Sequence, residues 1–160
     1  MIRIVNHTPT LEKGVIDFVL DIQRHEFGLD IHAADQPDLL DVASYYQHGA
    51  GNFWVALAGN EVVGSIALLD IGNAQGALRK LYVKASHRGK PHAVGSRLLE
   101  TLVHSARETG RRDLYLATTE QFAAACRFYE KNGFAALARD QLPQAFPRIP
   151  QETRFYHRAL

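Results

Sequence analysis

Two hydrophobic rhythms alternate along the 160-residue chain. Ile2–Val5 is a short apolar run that predicts a strand. Leu11, Val15, Phe18, Val19 and Ile22 then recur at helical spacing, with Thr8 and Thr10 as candidate caps and Gly28 as the stop. Asp35-Gln36-Pro37-Asp38 opens a second predicted helix, with Pro37 near its first turn, that reaches about Gln47 and ends in Gly49–Asn52. Strands are predicted over Phe53–Ala58 and Glu61–Asp70, joined by the hairpin signal Gly59-Asn60, and a third over Ala77–Val83. Val94, Leu98, Leu99, Leu102, Val103 and Ala106 draw one apolar stripe on a helix over Val94–Thr109, closed by Gly110. A short strand at Asp113–Ala117 and a helix over Glu120–Asn132, stopped by Gly133, follow. Strands at Phe134–Ala138 and Arg154–Arg158 flank a loop carrying Pro143, Pro147 and Pro150. The order β-α-α-β-β-β-α-β-α-β-β is that of an α/β or α+β fold with a largely antiparallel start, and the pattern predicts one domain over residues 1–160.

Composition narrows the class. Hydrophobic residues make up 46% and charged residues 22%, values of a globular chain that can bury a core. No apolar run approaches the roughly 20 residues of a membrane helix, and no membrane partner is expected. The first residues lack a signal-peptide core, and Cys126 is the only cysteine, so a reducing, cytoplasmic setting is expected. Charge is unevenly spread: residues 1–80 hold 5 Lys/Arg against 10 Asp/Glu, and residues 81–160 hold 13 against 7. That excess points to an anion met by the second half, or else to a solvated surface. The basic residues form no dense, aromatic-interleaved run, so nucleic acid is not expected.

Two constellations carry candidate chemistry. Leu81-Tyr82-Val83 leads into a basic, glycine-bearing loop, Arg88-Gly89-Lys90-Pro91-His92-Ala93, and then into Val94-Gly95-Ser96 at a helix start. The first amides of a helix lack intrahelical partners, and the macrodipole adds roughly half a positive charge there, so such a turn suits a phosphate, or else is an ordinary helix start with a solvated basic loop. It matches neither the P-loop nor the dinucleotide-binding pattern. The second constellation is Arg127-Phe128-Tyr129-Glu130-Lys131-Asn132-Gly133-Phe134, with Tyr129 near a helix end. Cys126, one turn before it, reads as a small buried apolar residue, since no His or Asp is spaced to activate it. The eight histidines lack metal-binding spacing and are expected at the surface, so no metal is expected; His92 stands out because it lies inside the basic loop.

In this order, the two constellations resemble the GNAT superfamily of acetyl-CoA-dependent N-acetyltransferases. Arg88 matches the start of that family's pyrophosphate loop, Arg/Gln-x-x-Gly-x-Gly/Ala, and Ala93-Val94-Gly95 its end. Phe53-Trp54-Val55-Ala56 and Val62-Val63-Gly64-Ser65-Ile66-Ala67 look like its central hairpin, and Phe155-Tyr156 like its last strand. The resemblance implies a mixed, largely antiparallel sheet flanked by about four helices. It implies acetyl-CoA as cosubstrate, contacted by Leu81, Tyr82, Val83, Arg88, Gly89, Lys90, Ala93, Val94, Gly95, Ser96, Phe122, Ala125 and Phe128. It places a backbone oxyanion donor near Val83 and makes Tyr129 the acid that protonates the leaving thiolate in direct attack by an amine. Two departures stand out. Pro91-His92 lengthens the loop by two residues, and Phe122 replaces a frequent Asn, leaving Thr118 or Thr119 to bond the coenzyme arm.

The acceptor, a small molecule or peptide amine, is expected against the first two helices. Glu26, Asp30, Asp35, Asp38 and Asp41 would suit a cation there or form a solvated face, and Trp54, Tyr45, Tyr46 and Arg79 are further candidates for the wall, with core packing the equal alternative for Trp54. Glu26, Asp70, Glu61 and water compete as base, with none assigned. A homodimer through the C-terminal strands is expected by the same resemblance. The alternative function is a module that binds acyl-CoA without catalysis.

Overall fold

A computed structural model describes residues 1–160. One seven-stranded sheet organises the chain in the order β1-β2-β3-β4-β5-β7-β6. The strands are β1 (Ile2–Asn6), β2 (Asn52–Ala58), β3 (Glu61–Gly72), β4 (Gln75–Val83), β5 (Asp113–Thr118), β6 (Ala135–Leu137) and β7 (Arg154–Ala159). Every pairing is antiparallel except β4 with β5. A parallel neighbour needs a crossover, and the amphipathic helix α4 (Val94–Glu108) supplies it.

The alternation of side chains along the strands divides the core between two faces. Trp54, Ala56, Ile66, Leu68 and Leu78 pack under α4 and α5 (Ala123–Lys131), against Leu98, Leu102 and Tyr129. Phe53, Val55, Leu57 and Ala67 pack on the other face, against Val15 and Val19 of α1 (Glu12–Asp21) and Leu39, Val42 and Tyr46. Trp54 is therefore core and not a wall of the cleft, as is Tyr46, which is fully buried. No helix is long and apolar enough to cross a membrane.

The element order follows the sequence pattern, with informative differences. The first helical segment ends just ahead of Gly28, as expected, but its last turn is not α-helical. It widens into a π turn over Ile22–Glu26, in which Phe27 N–H reaches back to Ile22 C=O. The second helix is broken into α2 (Pro37–Leu40) and α3 (Val42–Tyr45). Asp41 causes the break: it leaves helical geometry (φ −152°) and its carboxylate accepts the Ser44 N–H at 3.3 Å. A capping bond competes with helix continuation, which is why Asp sits better at a cap than inside. The helix expected from Glu120 begins at Ala123, after a turn closed by Phe122 N–H on Thr119 C=O.

Candidate active site

The parallel strands β4 and β5 stay paired only from Gln75–Asp113 to Ala77–Tyr115. Beyond that, β4 remains with β3 up to Val83, while β5 remains with β7 up to Thr118. The sheet therefore splits into a V-shaped cleft. Lys84 N–H binds Val63 C=O, so by strand alternation the N–H and C=O of Val83 point away from β3, into the cleft. Arg88 Nε confirms that direction by donating to Val83 C=O at 2.9 Å.

A bulge in β4 sets which side chains face which side. Ser65 pairs with Tyr82 and Ala67 with Arg79, so Lys80 and Leu81 together oppose one residue of β3. Lys80 takes the left-handed conformation (φ 56°), which costs on the order of 1 kcal/mol outside glycine. Ser65 Oγ steadies it by donating to Lys80 C=O at 2.7 Å. The extra residue keeps Leu78, Leu81 and Val83 on the α4 side, and Tyr82 on the α1 side.

At the open end of the cleft, the loop brings together Arg88, Gly89, Lys90 and Ala93 ahead of Val94, Gly95 and Ser96. Arg88, Gly89 and Lys90 are exposed, and Gly89 turns at φ 65° with open space around it. Ala93 occupies the N-cap position in left-handed geometry (φ 47°) and has no side-chain oxygen to cap α4. The first-turn amides of Val94, Gly95 and Ser96 are thus left for an acceptor from outside the helix. A Cβ on Gly95 would lie 3.6 Å from the Phe128 ring and 3.7 Å from Val83, so its hydrogen keeps this junction of loop, β4 and α5 low. Arg88 is paired with Glu26 through its guanidinium nitrogens. His92 is exposed and stacks on His87 with ring centroids 4.6 Å apart.

On the opposite wall, α5 presents Tyr129, Phe128 and Ala125 inward. Tyr129 is 7% exposed, packed among Phe134, Tyr156 and Phe128. Burial holds its phenol above its ordinary pKa, so it stays protonated. Thr119 Oγ1 is buried without a hydrogen-bond partner at the entrance to α5. Phe122 stacks on Phe27 at 4.2 Å, joining the end of the π turn to α5 across the cleft. Cys126 is buried, as expected of a packing residue, and its thiol donates to Thr119 C=O at 3.9 Å.

On the α1 side lies a polar cluster. Gln23 and Gln36 are buried and exchange amide hydrogen bonds at 3.0 and 2.9 Å, and Gln23 also donates to Tyr82 Oη at 3.0 Å. Lys80 Nζ donates to Gln36 Oε1 at 2.7 Å and lies 3.5 Å from Asp38, which accepts the Tyr46 hydroxyl at 2.6 Å. Burial lowers the Lys80 pKa, with Asp38 opposing. Arg79 donates to Tyr45 Oη at 2.9 Å.

Several expectations change here. Of the five acidic residues proposed for a cationic acceptor, Asp38 alone is buried, and it is neutralised by Lys80; Glu26, Asp30, Asp35 and Asp41 are exposed. The three candidate bases are engaged elsewhere. Glu61 pairs with Lys84, Glu26 with Arg88, and Asp70 binds Arg111 and the amides of Ala50 and Gly72. His7 is not at the surface: it is 5% exposed, edge-on to Phe53, because its strand end lies under the α3 turn. His157 is half-buried against Asp113 at 2.7 Å. A groove of about 680 Å³ between Asp17 and Ser86 lies outside the cleft and meets the loop only through Glu26 and the Lys84–Ser86 segment. Sequence reasoning missed Glu152, half-buried just before β7. Burial raises its carboxyl pKa, against the pull of Arg79 and Lys80. No motif surrounds it; Thr153 N–H on Thr118 C=O holds its segment at the end of β5.

Comparison with known proteins agrees with this architecture. The sequence profile of the acetyltransferase (GNAT) family matches residues 16–134. The acetyltransferase of the GNAT family from Staphylococcus aureus Mu50 superposes with a TM-score of 0.94 at 33% identity, covering 99% of both chains. Rat N-acetyltransferase 8F1 is 34% identical over 102 residues, 61% of this chain and 45% of its own length, so the chain spans about half the length of such relatives. An N-acetyltransferase from Thermoplasma acidophilum, solved in complex with coenzyme A, shares the fold with a TM-score of 0.76 at 17% identity, covering 100% of this chain and 99% of its own. With most of its length matched by the family profile, the chain belongs to the GNAT family of acetyltransferases.

Proposed function

We propose that this chain transfers an acetyl group from acetyl-CoA to an amine that attacks the thioester directly while both are bound. The uncapped start of α4, opening beside the free edge of β4, carries this reading. The amides of Val94, Gly95 and Ser96, with Arg88, Gly89, Lys90 and Ala93, receive the pyrophosphate. Leu81, Tyr82 and Val83 pair with the coenzyme arm as a missing strand would, while Ala125, Phe128 and Phe122 flank it and Thr119 Oγ1 offers it a hydrogen bond. The coenzyme complex of the Thermoplasma neighbour supports acyl-CoA as the donor.

The chemistry follows from the cleft. Attack by a neutral amine builds negative charge on the thioester oxygen, and a fixed N–H at Val83 stabilises it without reorganisation. The departing thiolate needs a proton, and Tyr129 holds one throughout the working pH range. Because burial disfavours the phenolate, Tyr129 gives its proton to sulfur as the nitrogen's proton leaves to replace it. The rest of the acceleration is alignment of two bound reactants.

Acetyl-CoA is expected to raise the melting temperature, and an amine panel with thiol detection to show turnover. No thermal shift at millimolar acetyl-CoA contradicts the proposal. A shift without thiol release from any amine would leave the fold as a non-catalytic acyl-CoA sensor.

A further inference from the structure

The acetyl-transfer reading leaves the Pro91-His92 extension of the loop unused. Ala93 N–H donates to Gly89 C=O at 2.7 Å, so Gly89–Ala93 closes as a turn of its own just before α4. Lys90, Pro91 and His92 stand out from that turn and are exposed. Its return lays His92 on His87, with ring centroids 4.6 Å apart and 33° between the planes. His87 is half-buried at the end of the short 3₁₀ turn Ala85–His87, and its Nδ1 shares a hydrogen bond with Ser86 Oγ at 2.9 Å. His87 Nε2 and both ring nitrogens of His92 make no hydrogen bond within the protein. The charges around the pair favour an anion. Glu61 of β3 faces His87 but is held by Lys84, and Glu26 of the π turn is held by Arg88. Lys90 has no carboxylate partner, and the first turn of α4 brings no acidic residue. Arg97, further along α4, is bonded to Ile2 C=O at 3.1 Å.

Two imidazoles stacked this closely repel each other when both are charged, unless an anion lies against them. We propose that the turn is a second phosphate seat, built by His87 and His92 for the phosphomonoester on the ribose of coenzyme A. This rests on the acetyltransferase reading above. In that reading the arm of the coenzyme runs inward along Leu81–Val83 and its diphosphate lies on the start of α4, so its nucleoside end leaves past the solvent side of the turn. His87 Nε2 and a ring nitrogen of His92 donate to the phosphate oxygens, and Lys90 adds counter-charge. The direction of the pH dependence identifies such a seat. The monoester gains its second negative charge near about pH 6, so a fixed cation holds it better as pH rises and then levels off. An imidazole loses its charge between about pH 5 and 8 and holds it less well as pH rises. The histidine pair therefore gives a maximum between the two, with a fall toward alkaline pH that Arg88, Lys84 and Lys90 alone do not produce.

The experiment titrates the protein with coenzyme A and with 3′-dephospho-coenzyme A in a calorimeter, from about pH 6 to about pH 8.5 at constant low ionic strength. The readout is the ratio of the two dissociation constants, in which the shared diphosphate and arm cancel. The full coenzyme is expected to bind about tenfold more tightly near pH 6.5 and about twofold near pH 8.5. His92→Phe keeps a ring on His87 and removes the charge, and should hold the ratio near about twofold across the range. His92→Lys keeps a charge and removes the titration, and should make the ratio level off where the wild type falls. Both changes lie on an exposed turn. A ratio near one at every pH, in a protein that binds both ligands, overturns this inference alone. So does a wild-type ratio that rises with pH, or one that His92→Phe does not move. Failure of both ligands to bind overturns the coenzyme A reading with it.

Discussion

Tyr129 and Ser65 act at the scale of single groups. Tyr129→Phe deletes one hydroxyl from a ring that stays packed against Phe134 and Tyr156. Turnover is expected to fall by about 10²–10⁴ with coenzyme affinity unchanged, read by comparing kcat with the Kd of coenzyme A. Equal turnover, with chemistry shown to limit the rate, removes the phenol from the reaction. Ser65→Ala unties the carbonyl of the strained Lys80. Denaturant unfolding should show a loss of about 1 kcal/mol, and a shift of the β4 edge should appear as a lower kcat. Asp70 works by pH. Its carboxyl is held below the usual range by the Ala50 N–H at 3.0 Å and the Gly72 N–H at 2.9 Å, with Arg111 adding to this. A group that protonates less readily when folded stabilises the protein above its unfolded pKa and loses that contribution as pH falls. Asp70→Asn should therefore lower the melting temperature at neutral pH, and the gap from wild type should close below about pH 4. A gap that persists in acid would show a packing effect instead.

Whole elements set up the site through their ends. The π turn after α1 touches both walls of the cleft, pairing Glu26 with Arg88 and stacking Phe27 on Phe122. Both sides of the Glu26–Arg88 pair are partly exposed, so the contact is worth at most about 1 kcal/mol. Glu26→Gln should free Arg88 for phosphate and tighten coenzyme A by about two- to fivefold in calorimetry. Unchanged affinity would place Arg88 outside the coenzyme site. Elements were also where the sequence was most and least legible. The stripe Val94–Ala106 and the Gly59-Asn60 hairpin mark their structures because their periodicity comes from burial itself. The π turn leaves no mark, since it adds a residue without altering which side chains are apolar. The break at Asp41 was masked because Asp is tolerated in a helix until its cap competes.

Across the whole molecule, function comes from strands that part company. The β4–β5 divergence exposes an edge on one side to α4 and α5, and on the other to the cluster from α1 and α2. The loop and Tyr129 could be read locally, because each carries its signal within a few residues. The polar cluster on the α1 side was legible only in Asp38 and Arg79, because Gln23, Gln36 and Lys80 join it only through tertiary folding and each taken alone is an ordinary surface type. The most direct test is a crystal structure with coenzyme A bound. The diphosphate should lie on the amides of Val94, Gly95 and Ser96, the arm along Leu81–Val83, and the sulfur within hydrogen-bonding reach of the Tyr129 hydroxyl. Coenzyme A bound elsewhere, or its sulfur turned away from Tyr129, would contradict the account.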